Sequence, residues 1–482
     1  MRNQVQLIAY ADRLGGSLAG LHRLLDGPLA GVFGGVHLLP FFTPYDGADA
    51  GFDPVDHTQV DSRLGTWDDV RALGQQLETM VDLIVNHVGI ESAAFRDVRA
   101  RGDASPSAGM FLTMDAVFPK GATEDDLVRL YRPRPGLPFT RMRLGGKDRL
   151  AWTTFTAAQV DLDVRSEPGA AYLRSVLSTL ACAEVTTVRL DAVGYAVKTA
   201  GTTSFMTPGT YAFIDDLTTQ ARALGLEVLV EVHADPAVQQ EVARRVDRVY
   251  DFALPPLVLH ALLAADAAPL RRWLERRPPN AVTVLDTHDG IGVVDVVGLL
   301  EPEQIDALVE ALHEGSGGTS RQATGAAASN LDLYQLNCTF YDALGGDDDR
   351  YLLARLIQLF VPGVPQVYYV GLLAGSNDME LLAATGVGRD VNRRHYTADQ
   401  VTTELQRPVV ARLLRALRWR NTHPAFDGAF AHRDDDGRLE LAWQHGEHRA
   451  TLRADLRDAS YELSFTDAGR PPAEPRERRP GS

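Results

Sequence analysis

Four short segments of the chain share one pattern, an apolar or β-branched run that ends in charged or polar residues. The segments are Val81 to His87, Thr186 to Asp191, Val228 to His233 and Val282 to Asp289. Short apolar runs of this kind are typical of fully buried strands. Polar side chains at the carboxyl ends of several such strands indicate an α/β fold, the (β/α)₈ TIM barrel, whose active site lies at that end of the strands.

The strand that ends in Asp191 shows how such a site would work. Arg189 and Asp191 are two residues apart, so their side chains point to the same face of a strand. A neighbouring guanidinium lowers the pKa of a carboxyl group, which predicts that Asp191 stays ionised. An ionised carboxylate at a strand end suits nucleophilic catalysis, although a structural ion pair would give the same pattern.

The composition disfavours several classes of function. The chain has 482 residues and a formal net charge of −16, which argues against binding to nucleic acid or to an anionic membrane surface. It enters a strand at Val5 to Ile8 without a signal-peptide pattern, and no apolar run is long enough to span a membrane. We therefore predict a cytoplasmic enzyme. Cys182 and Cys338 lie in apolar runs, which predicts two buried free thiols without metal-ligand spacing.

The predicted elements divide the chain into a barrel and three additions. Residues 1–84, 166–290 and 346–425 are predicted to form the barrel, because strands and helices alternate there. The Gly- and Pro-rich stretch 85–165 loses this alternation and is too long for a structureless loop. It therefore predicts an inserted domain after the third strand.

The other two additions follow the seventh strand and the barrel. Residues 291–345 are predicted to form a second, irregular insert, in which a Gly-rich part indicates mobility. Alternating strands predict a small antiparallel β domain at 426–482, with a Pro- and Arg-rich disordered tail. Residues 49–58 are too polar and Gly-rich for a helix, so we predict a loop above the barrel.

The four strand-end segments resemble, in type and order, those of the α-amylase superfamily of retaining glycoside hydrolases and transglycosylases. The matching residues are Asp82 to His87, Arg189 to Asp191, Glu231, and His288 with Asp289. Further stretches resemble the sucrose phosphorylase family, and the similarity runs from Val5 to about residue 425. These stretches are Ala48 to Pro54, Tyr131 to Phe139, Asn330 to Gln335 and Gly388 to Arg393.

The resemblance implies a pair of catalytic carboxyl groups that act in two displacements. Asp191 would be the nucleophile, Glu231 the acid/base and Asp289 a stabiliser of the transition state. The apolar strand before Glu231 agrees with the second role, because burial favours the protonated form of a carboxylic acid. A helix cap is the structural alternative for Glu231 taken alone.

The resemblance also implies substrate-binding residues around these carboxylates. His87 and His288 would contact the glucosyl ring, and Asp49 with Arg389 would bind its non-reducing end. Arg134 is the candidate phosphate ligand, because a guanidinium donates two parallel hydrogen bonds. The structural alternatives are core packing for the two histidines, a loop salt bridge for Asp49 with Arg389, and a solvated loop charge for Arg134. The other predicted members are Phe52, Phe155, Gln159, Arg189, Leu190, His233, Asp332, Leu333, Tyr334 and Gln335.

The activity that the resemblance implies is phosphorolysis of sucrose, without a cofactor or metal. Sucrose and inorganic phosphate would give α-glucose 1-phosphate and fructose through a glucosyl ester of Asp191. In the second insert, Asp332 would suit the hydroxyls of fructose and Tyr334 would suit phosphate. Relatives are often homodimers, so the resemblance implies a homodimer as well.

Two departures from the family bear on the choice of acceptor. Ala234 to Pro236 stands where the family often has Ser-Tyr-Tyr, and Val88 to Ile90 where a Ser-Trp pair is common. Three alternatives therefore stay open. One is a phosphorylase acting on sucrose 6′-phosphate, glucosylglycerol or glucosylglycerate. The others are a hydrolase or transglucosidase, and an inactive barrel that only binds carbohydrate.

Overall fold

A computed structural model describes residues 1–47, 49–133, 136–325, 335–435 and 437–466. Its centre is a closed barrel of eight parallel strands, in which each strand pairs with the next one along the chain and the eighth pairs with the first. The predicted TIM barrel is therefore confirmed. The barrel strands, first to eighth, are Gln6–Ala9, Gly35–Leu38, Glu78–Ile84, Thr187–Asp191, Glu227–Val230, Arg248–Asp251, Ala281–Thr283 and Val364–Tyr368.

The strand register sets up the floor of the site. In the parallel pairing of the third and fourth strands, Arg189 lies opposite Asp82 and Asp191 lies opposite Ile84. Every residue of the fourth strand is buried, as expected of a parallel strand covered on both faces. Because side chains alternate along a strand, Arg189 and Asp191 share one face and Leu190 takes the other.

Helices between the strands form the outer ring. The helix Glu167–Cys182, which leads into the fourth strand, begins at Ser166, whose side chain accepts a hydrogen bond from the N–H of Gly169. Pro168 fits the first turn, where its missing N–H costs nothing. The α-helices are Leu18–Asp26, Trp67–Gly74, Ala93–Arg101, Met114–Val117, Glu124–Arg129, Glu167–Cys182, Pro208–Ala223, Pro236–Ala243, Leu254–Ala264, Ala268–Leu274, Pro302–Gly315, Thr319–Gly325, Phe340–Ala343, Asp348–Phe360, Tyr369–Leu372, Met379–Thr385, Ala398–Glu404 and Pro408–Thr422.

Two short antiparallel pairings bring the inserted segments back to the barrel. After the third strand, His87–Gly89 pairs with Gln159–Asp161, so that Gly89 lies opposite Gln159. After the seventh strand, Ile291–Gly292 pairs with Gln335–Leu336, so that Gly292 lies opposite Gln335. Each insert thus begins and ends beside the carboxyl end of a barrel strand. A further hairpin of the first insert is formed by Phe139–Leu144 and Lys147–Trp152.

The predicted loop at 49–58 is partly wrong. Phe42–Pro44 pairs antiparallel with Pro54–Val60, so the second half of that segment is a strand. The strand was hidden because its polar residues occupy a two-stranded ribbon, where most of them stay accessible. The exception is His57, which is fully buried and lies 2.9 Å from the hydroxyl of Tyr172 through Nδ1.

Four antiparallel strands follow the last barrel helix, as predicted for the C-terminal domain. The indole N–H of Trp443 donates to the carbonyl of Phe360 at 2.7 Å and joins this sheet to a barrel helix. The predicted disordered tail, 467–482, lies outside the described residues. The strands are Ala429–Asp435, Arg438–His445, His448–Asp455 and Ser460–Thr466.

The two cysteines have different surroundings. Cys338 is buried, as predicted, but the prediction for Cys182 is wrong, because that residue is exposed. The buried stripe of its helix ends with Leu177 and Leu180. Cys182 comes two residues later, which rotates it to the opposite face of the helix. In the described part of the chain, no helix is both long and apolar enough to cross a membrane.

Candidate active site

One arginine joins the carboxylates of the third and fourth strands. Arg189 Nη1 lies 2.8 Å from Asp191 Oδ1 and 2.5 Å from Asp82 Oδ1. Asp82 is fully buried, and its second oxygen lies 3.1 Å from His37 Nε2. This shared guanidinium fixes Asp191 at the mouth of the barrel, where 13% of its side chain stays accessible.

The pKa of Asp191 differs from the sequence prediction. Burial raises this pKa, and the Arg189 guanidinium lowers it. The nearby carboxylates of Glu231, Asp82 and Asp289 raise it further, so the net shift is well upward. The predicted lowering is wrong because it counted only the arginine. Carboxyl groups packed this densely titrate together and can share a proton, and Arg189 disfavours that proton on Asp191.

The turn after Asp191 links it to the fifth strand. Ala192 adopts a left-handed conformation with φ of 53°, which is strained for a residue with a Cβ. Its N–H donates to Glu231 Oε2 at 3.2 Å, and the N–H of Glu231 donates to the carbonyl of Leu190 at 3.2 Å. The turn therefore sets the Glu231 carboxylate beside the end of the fourth strand. Leu190 itself is fully buried on the outer face of its strand, so its side chain does not enter the site.

Asp289, after the seventh strand, is surrounded by positive charge. Arg389 Nη1 lies 2.7 Å and Arg393 Nη2 lies 3.9 Å from Asp289 Oδ1. Burial raises the pKa of Asp289, but Arg389, His288 and Arg393 lower it to well below its usual range. Burial also lowers the pKa of His288 to about 3. At neutral pH the site therefore holds an ionised Asp289 beside a neutral His288.

Four predicted residues form one hydrogen-bonded wall. Gln159 Nε2 donates to Asp49 Oδ2 at 2.8 Å and to the carbonyl of Phe52 at 3.1 Å. His87 Nε2 lies 2.8 Å from the same carbonyl. The pairing of His87–Gly89 with Gln159–Asp161 brings His87 and Gln159 together, 3.1 Å apart between their Nε2 atoms. Asp49 completes the wall with an oxygen 3.9 Å from Arg389 Nη1.

Aromatic rings pack against the histidines of the site. Phe52 is stacked on His288 with ring centroids 4.6 Å apart and planes at 7°. Phe155 makes edge contacts with His87 and Tyr195, each at 5.2 Å. Both phenylalanines thus lie beside the predicted sugar ligands, but Phe52 is buried and Phe155 is half-buried. Of the two, Phe155 has more surface to offer a ligand.

His233 lies between the fifth strand and the second insert. Its Nε2 is 3.5 Å from Glu231 Oε1 and 3.2 Å from Gln335 Nε2, and its Nδ1 is 2.8 Å from Asp295 Oδ2. Gln335 Oε1 also accepts a hydrogen bond from Arg389 Nη2 at 3.3 Å. The structure therefore brings His233 and Gln335 to the side of the site that holds Glu231.

Three of these side chains have spacing that could suit a metal ion. One ligand atom each from Glu231, His233 and Asp289 lies within 4.8 Å of the others. However, both ring nitrogens of His233 face other groups, Asp295 and Gln335, and Asp289 already pairs with an arginine. A metal-binding histidine needs a nitrogen with a free lone pair aimed at the ion. This trio therefore fits a hydrogen-bonded cluster better than a metal centre.

Sequence reasoning missed several supporting residues. Lys198 Nζ is fully buried between Asn86 Oδ1 at 2.6 Å and Asp161 Oδ2 at 2.5 Å, so it holds the first insert on the third strand. Arg393 Nε donates to the carbonyl of His288 at 2.9 Å. Arg393 is the last residue of the segment Gly388 to Arg393, which also contains Arg389. This segment was the sequence signal that could have identified Arg393. Lys198 follows the fourth strand without any motif.

Four predicted residues cannot be placed in this geometry. Arg134, Asp332, Leu333 and Tyr334 lie outside the described residues. The described neighbours of the last three begin with Gln335, whose contacts are given above. The predicted phosphate pocket and acceptor loop therefore stay predictions.

Comparisons with known proteins agree with this arrangement. Residues 15–216 match the family model described as the catalytic domain of alpha amylase. A protein of Agrobacterium vitis named sucrose phosphorylase is 60% identical over 94% of this chain and 95% of its own length. One of Bifidobacterium adolescentis with the same name is 53% identical over 94% and 92%. The crystal structure of sucrose 6F-phosphate phosphorylase from Thermoanaerobacter thermosaccharolyticum matches with a TM-score of 0.92, at 37% identity and over 98% of this chain and 97% of that one. The chain therefore belongs to the sucrose phosphorylase family.

Proposed function

We propose that the protein is a sucrose phosphorylase, which transfers the glucosyl unit of sucrose to inorganic phosphate. The products are α-glucose 1-phosphate and fructose. The observation that carries the proposal is the convergence of Asp191, Glu231 and Asp289 at one end of the barrel. It occurs in a chain that is 60% identical to a protein named sucrose phosphorylase.

In the first half of the reaction, Asp191 attacks the anomeric carbon of the glucosyl unit. The bond from that carbon to the fructosyl oxygen breaks, a bond to the Asp191 carboxylate forms, and Glu231 gives its proton to the leaving fructose. Arg189 supports the ionised form of Asp191 through its 2.8 Å contact. Asp289, kept ionised by two arginines, stabilises the positive charge that develops on the sugar.

In the second half, phosphate replaces fructose and attacks the same carbon. Its oxygen forms the new bond, the ester to Asp191 breaks, and the Glu231 carboxylate takes up the proton of the attacking group. Two inversions give net retention, so the product is the α-anomer. Because the chain carries a net charge of −16, the anion needs a local cation. Arg134 remains the residue proposed for this contact.

The glucosyl unit would occupy the wall formed by the first insert and the last barrel strands. Asp49 and Arg389 would bind its non-reducing end, and His87, Gln159 and His288 would contact its hydroxyls. The proposal is supported by the polar contacts that already fix these groups, such as the 2.8 Å bond from Gln159 to Asp49. Fixed polar groups bind a sugar at a small entropic cost.

A second candidate is phosphorolysis of sucrose 6′-phosphate. It is favoured by the likeness to the structure of sucrose 6F-phosphate phosphorylase, with a TM-score of 0.92. That protein is only 37% identical to this chain, against 60% for a relative named for sucrose itself. We therefore place sucrose first.

The deciding experiment measures fructose and glucose 1-phosphate released from sucrose with and without phosphate. We expect equal amounts of both products and a strict dependence on phosphate. Free glucose at a rate independent of phosphate would indicate a hydrolase. Turnover of sucrose 6′-phosphate only would establish the second candidate.

We also propose that the enzyme works in the cytoplasm as a homodimer. Its product, a charged sugar phosphate, is retained inside cells, which supports the location. The dimer is supported by family resemblance. Light scattering after size-exclusion chromatography would measure its mass against the 52.6 kDa of one chain.

A further inference from the structure

Asp295 lies under the acid/base side of the site, in the 3₁₀ turn Val294–Val296 of the second insert. Its carboxylate is fully buried and accepts three hydrogen bonds. They come from His233 Nδ1 at 2.8 Å, the N–H of Ala234 at 3.2 Å and Gln239 Nε2 at 3.0 Å. A carboxylate in such a setting only accepts, so His233 must carry a proton on Nδ1.

The ring of His233 cannot easily exchange its two nitrogens. It is stacked on Phe252 with centroids 4.0 Å apart and planes at 17°. With Nδ1 tied to Asp295, only Nε2 can change its protonation state. That nitrogen faces Glu231 Oε1 at 3.5 Å and Gln335 Nε2 at 3.2 Å.

A chain of hydrogen bonds continues from Nε2 to the sugar side of the site. The Gln335 amide accepts from Arg389 with its oxygen and directs its nitrogen at His233. An amide nitrogen only donates, so this orientation requires an unprotonated Nε2. If His233 gained a second proton, on Nε2, that N–H would point at the amide N–H of Gln335, and two donors would face each other. The amide would then have to turn over, which would direct its nitrogen at the Arg389 guanidinium.

The surrounding charges favour a second proton on His233. Burial lowers the pKa of His233, but the carboxylates of Asp295, Glu231 and Asp289 together raise it above its usual value. Of these three, Glu231 changes its charge during the proposed reaction. Asp295 has no part in the chemistry, and Asp289 is held ionised by its arginines.

We infer that Asp295 is a positioning residue that makes His233 a sensor of the charge on Glu231. This inference rests on the proposed function. Before the first displacement Glu231 holds its proton, and His233 is neutral and accepts from Gln335. Once Glu231 has protonated the leaving fructose, a proton from solvent binds Nε2. The resulting imidazolium attracts phosphate at the moment when the anion must replace the neutral fructose.

The cycle returns both groups to their starting state. When Glu231 regains a proton from the attacking phosphate, its negative charge disappears. The extra proton on Nε2 then leaves to solvent, and the Gln335 amide can again accept from Arg389 and donate to His233. His233 thus presents a cation to phosphate in the second half-reaction and a neutral surface to fructose in the first.

The test combines steady-state kinetics with nitrogen NMR of the histidine ring. Asp295→Asn keeps the shape but places an amide N–H against Nδ1, which moves the neutral proton to Nε2 and removes a charge. We expect KM for phosphate to rise about tenfold or more, equivalent to ~1.4 kcal/mol of binding, and KM for sucrose to change less than about twofold. The ¹⁵N signals of His233, assigned by their loss in His233→Gln, should show the exchanged tautomer and a lower pKa.

A second variant tests the sensor if Asp295→Asn does not fold. In the glucosyl ester formed from an aryl glucoside, Glu231→Gln leaves no charge next to Nε2, so the pKa of His233 should be lower than in the wild-type ester while Nδ1 keeps its proton. An unchanged titration of His233 in this variant would overturn the inference. So would equal changes in both KM values for Asp295→Asn.

Asp251→Asn serves as the matched structural control. Asp251 is also fully buried at a strand end and accepts from Arg277 Nε and Trp273 Nε1, both at 2.8 Å. It should lower stability without changing the ratio of the two KM values, and a change like that of Asp295→Asn would mean a general structural effect. Failure of the proposed function would be seen separately, if the wild-type enzyme released fructose from sucrose at the same rate with and without phosphate. The NMR titrations would still decide the coupling.

Discussion

The proposed sugar side of the site, around Asp289, and the proposed acceptor side, around His233, differ in how their charges are held. On the sugar side, Asp289 pairs with Arg389 and lies near Arg393, and these charges keep it ionised although burial raises its pKa. On the acceptor side, His233 lies between carboxylates and an amide, and the carboxylates of Asp295, Glu231 and Asp289 raise its pKa above the usual value although burial lowers it. The difference matches the two tasks. A glucosyl unit is the same neutral group in both half-reactions, whereas its partner changes from neutral fructose to anionic phosphate.

The largest expected effect comes from the residue that joins the two sides. In Asp191→Asn the covalent ester cannot form, so turnover of sucrose should fall by about 10⁴-fold or more. The fold should persist, because the amide can still accept from Arg189. Circular dichroism and the melting temperature would verify the fold. If the variant keeps more than about a tenth of wild-type activity, Asp191 is not the nucleophile, and the two sides of the site do not share it as their reactive group.

Glu231 belongs to the acceptor side, and the rate lost when it is substituted should depend on the leaving group of the donor. Glu231→Gln lacks the proton that fructose needs, which should slow release of fructose by about 10²- to 10⁴-fold. An aryl glucoside with a good leaving group needs little protonation and should form the ester at a rate closer to that of wild type. Pre-steady-state release of the aryl group measures this step. Equal losses for both donors would assign the acid/base role elsewhere.

The next effect separates the two sides directly. Arg134→Ala, in the loop that the family resemblance assigns to phosphate, should raise KM for phosphate by roughly tenfold, because a charge-assisted contact is lost. KM for sucrose should change much less, and more of the glucosyl ester should be lost to water. Free glucose per glucose 1-phosphate measures that share. Arg132→Ala, a nearby arginine outside the predicted set, is the control, and equal effects on both substrates would make Arg134 a loop charge.

The sequence predicted the barrel well because each strand carries its own signal. The polar ends of the third, fourth, fifth and seventh strands are local features, and Asp191, Glu231 and Asp289 lie where the pattern places them. The contacts of His87 with Gln159 depend on an antiparallel pairing across some 70 residues, which no local pattern reveals. Only resemblance brought Gln159 into the predicted set.

Supporting charges were the hardest to predict, because they act across the fold. Asp295 is 62 residues from His233, and Lys198 is 112 residues from Asn86. The pKa of Asp191 failed for the same reason. Its sequence neighbour Arg189 was visible, but the burial that outweighs the arginine, and the carboxylates that add to it, depend on other strands. A local pattern can therefore place a reactive group without predicting its titration.

The smallest expected effect concerns the stability of the sugar side. Asp53 is only 2% exposed, and its Oδ1 has no hydrogen-bond partner among the described residues. Burial raises the pKa of Asp53 from 3.8 to about 6, and the nearby charge of Asp49 adds to the shift. A pKa that is higher in the folded state favours folding below about pH 4, and this contribution is lost as the pH rises through 6. The full cost of the buried charge at pH 8 is about 3 kcal/mol at 1.36 kcal/mol per pKa unit.

Asp53→Asn removes this cost, because an amide stays neutral at every pH. Its oxygen can still accept from the N–H of Gly47, which bonds the carboxylate in the wild type. The melting temperature of the variant should therefore exceed that of the wild type at pH 8, and the difference should shrink to nothing near pH 4. Asp125→Asn, on an exposed helix pair with Arg129, should show no such trend. A difference for Asp53→Asn that is constant with pH would mean that the charge is not its source. The predicted trend would mean that the negative charge of Asp53 beside the sugar side lowers stability once the pH exceeds about 6. A histidine on the acceptor side, which can change its charge, avoids a permanent cost of this kind.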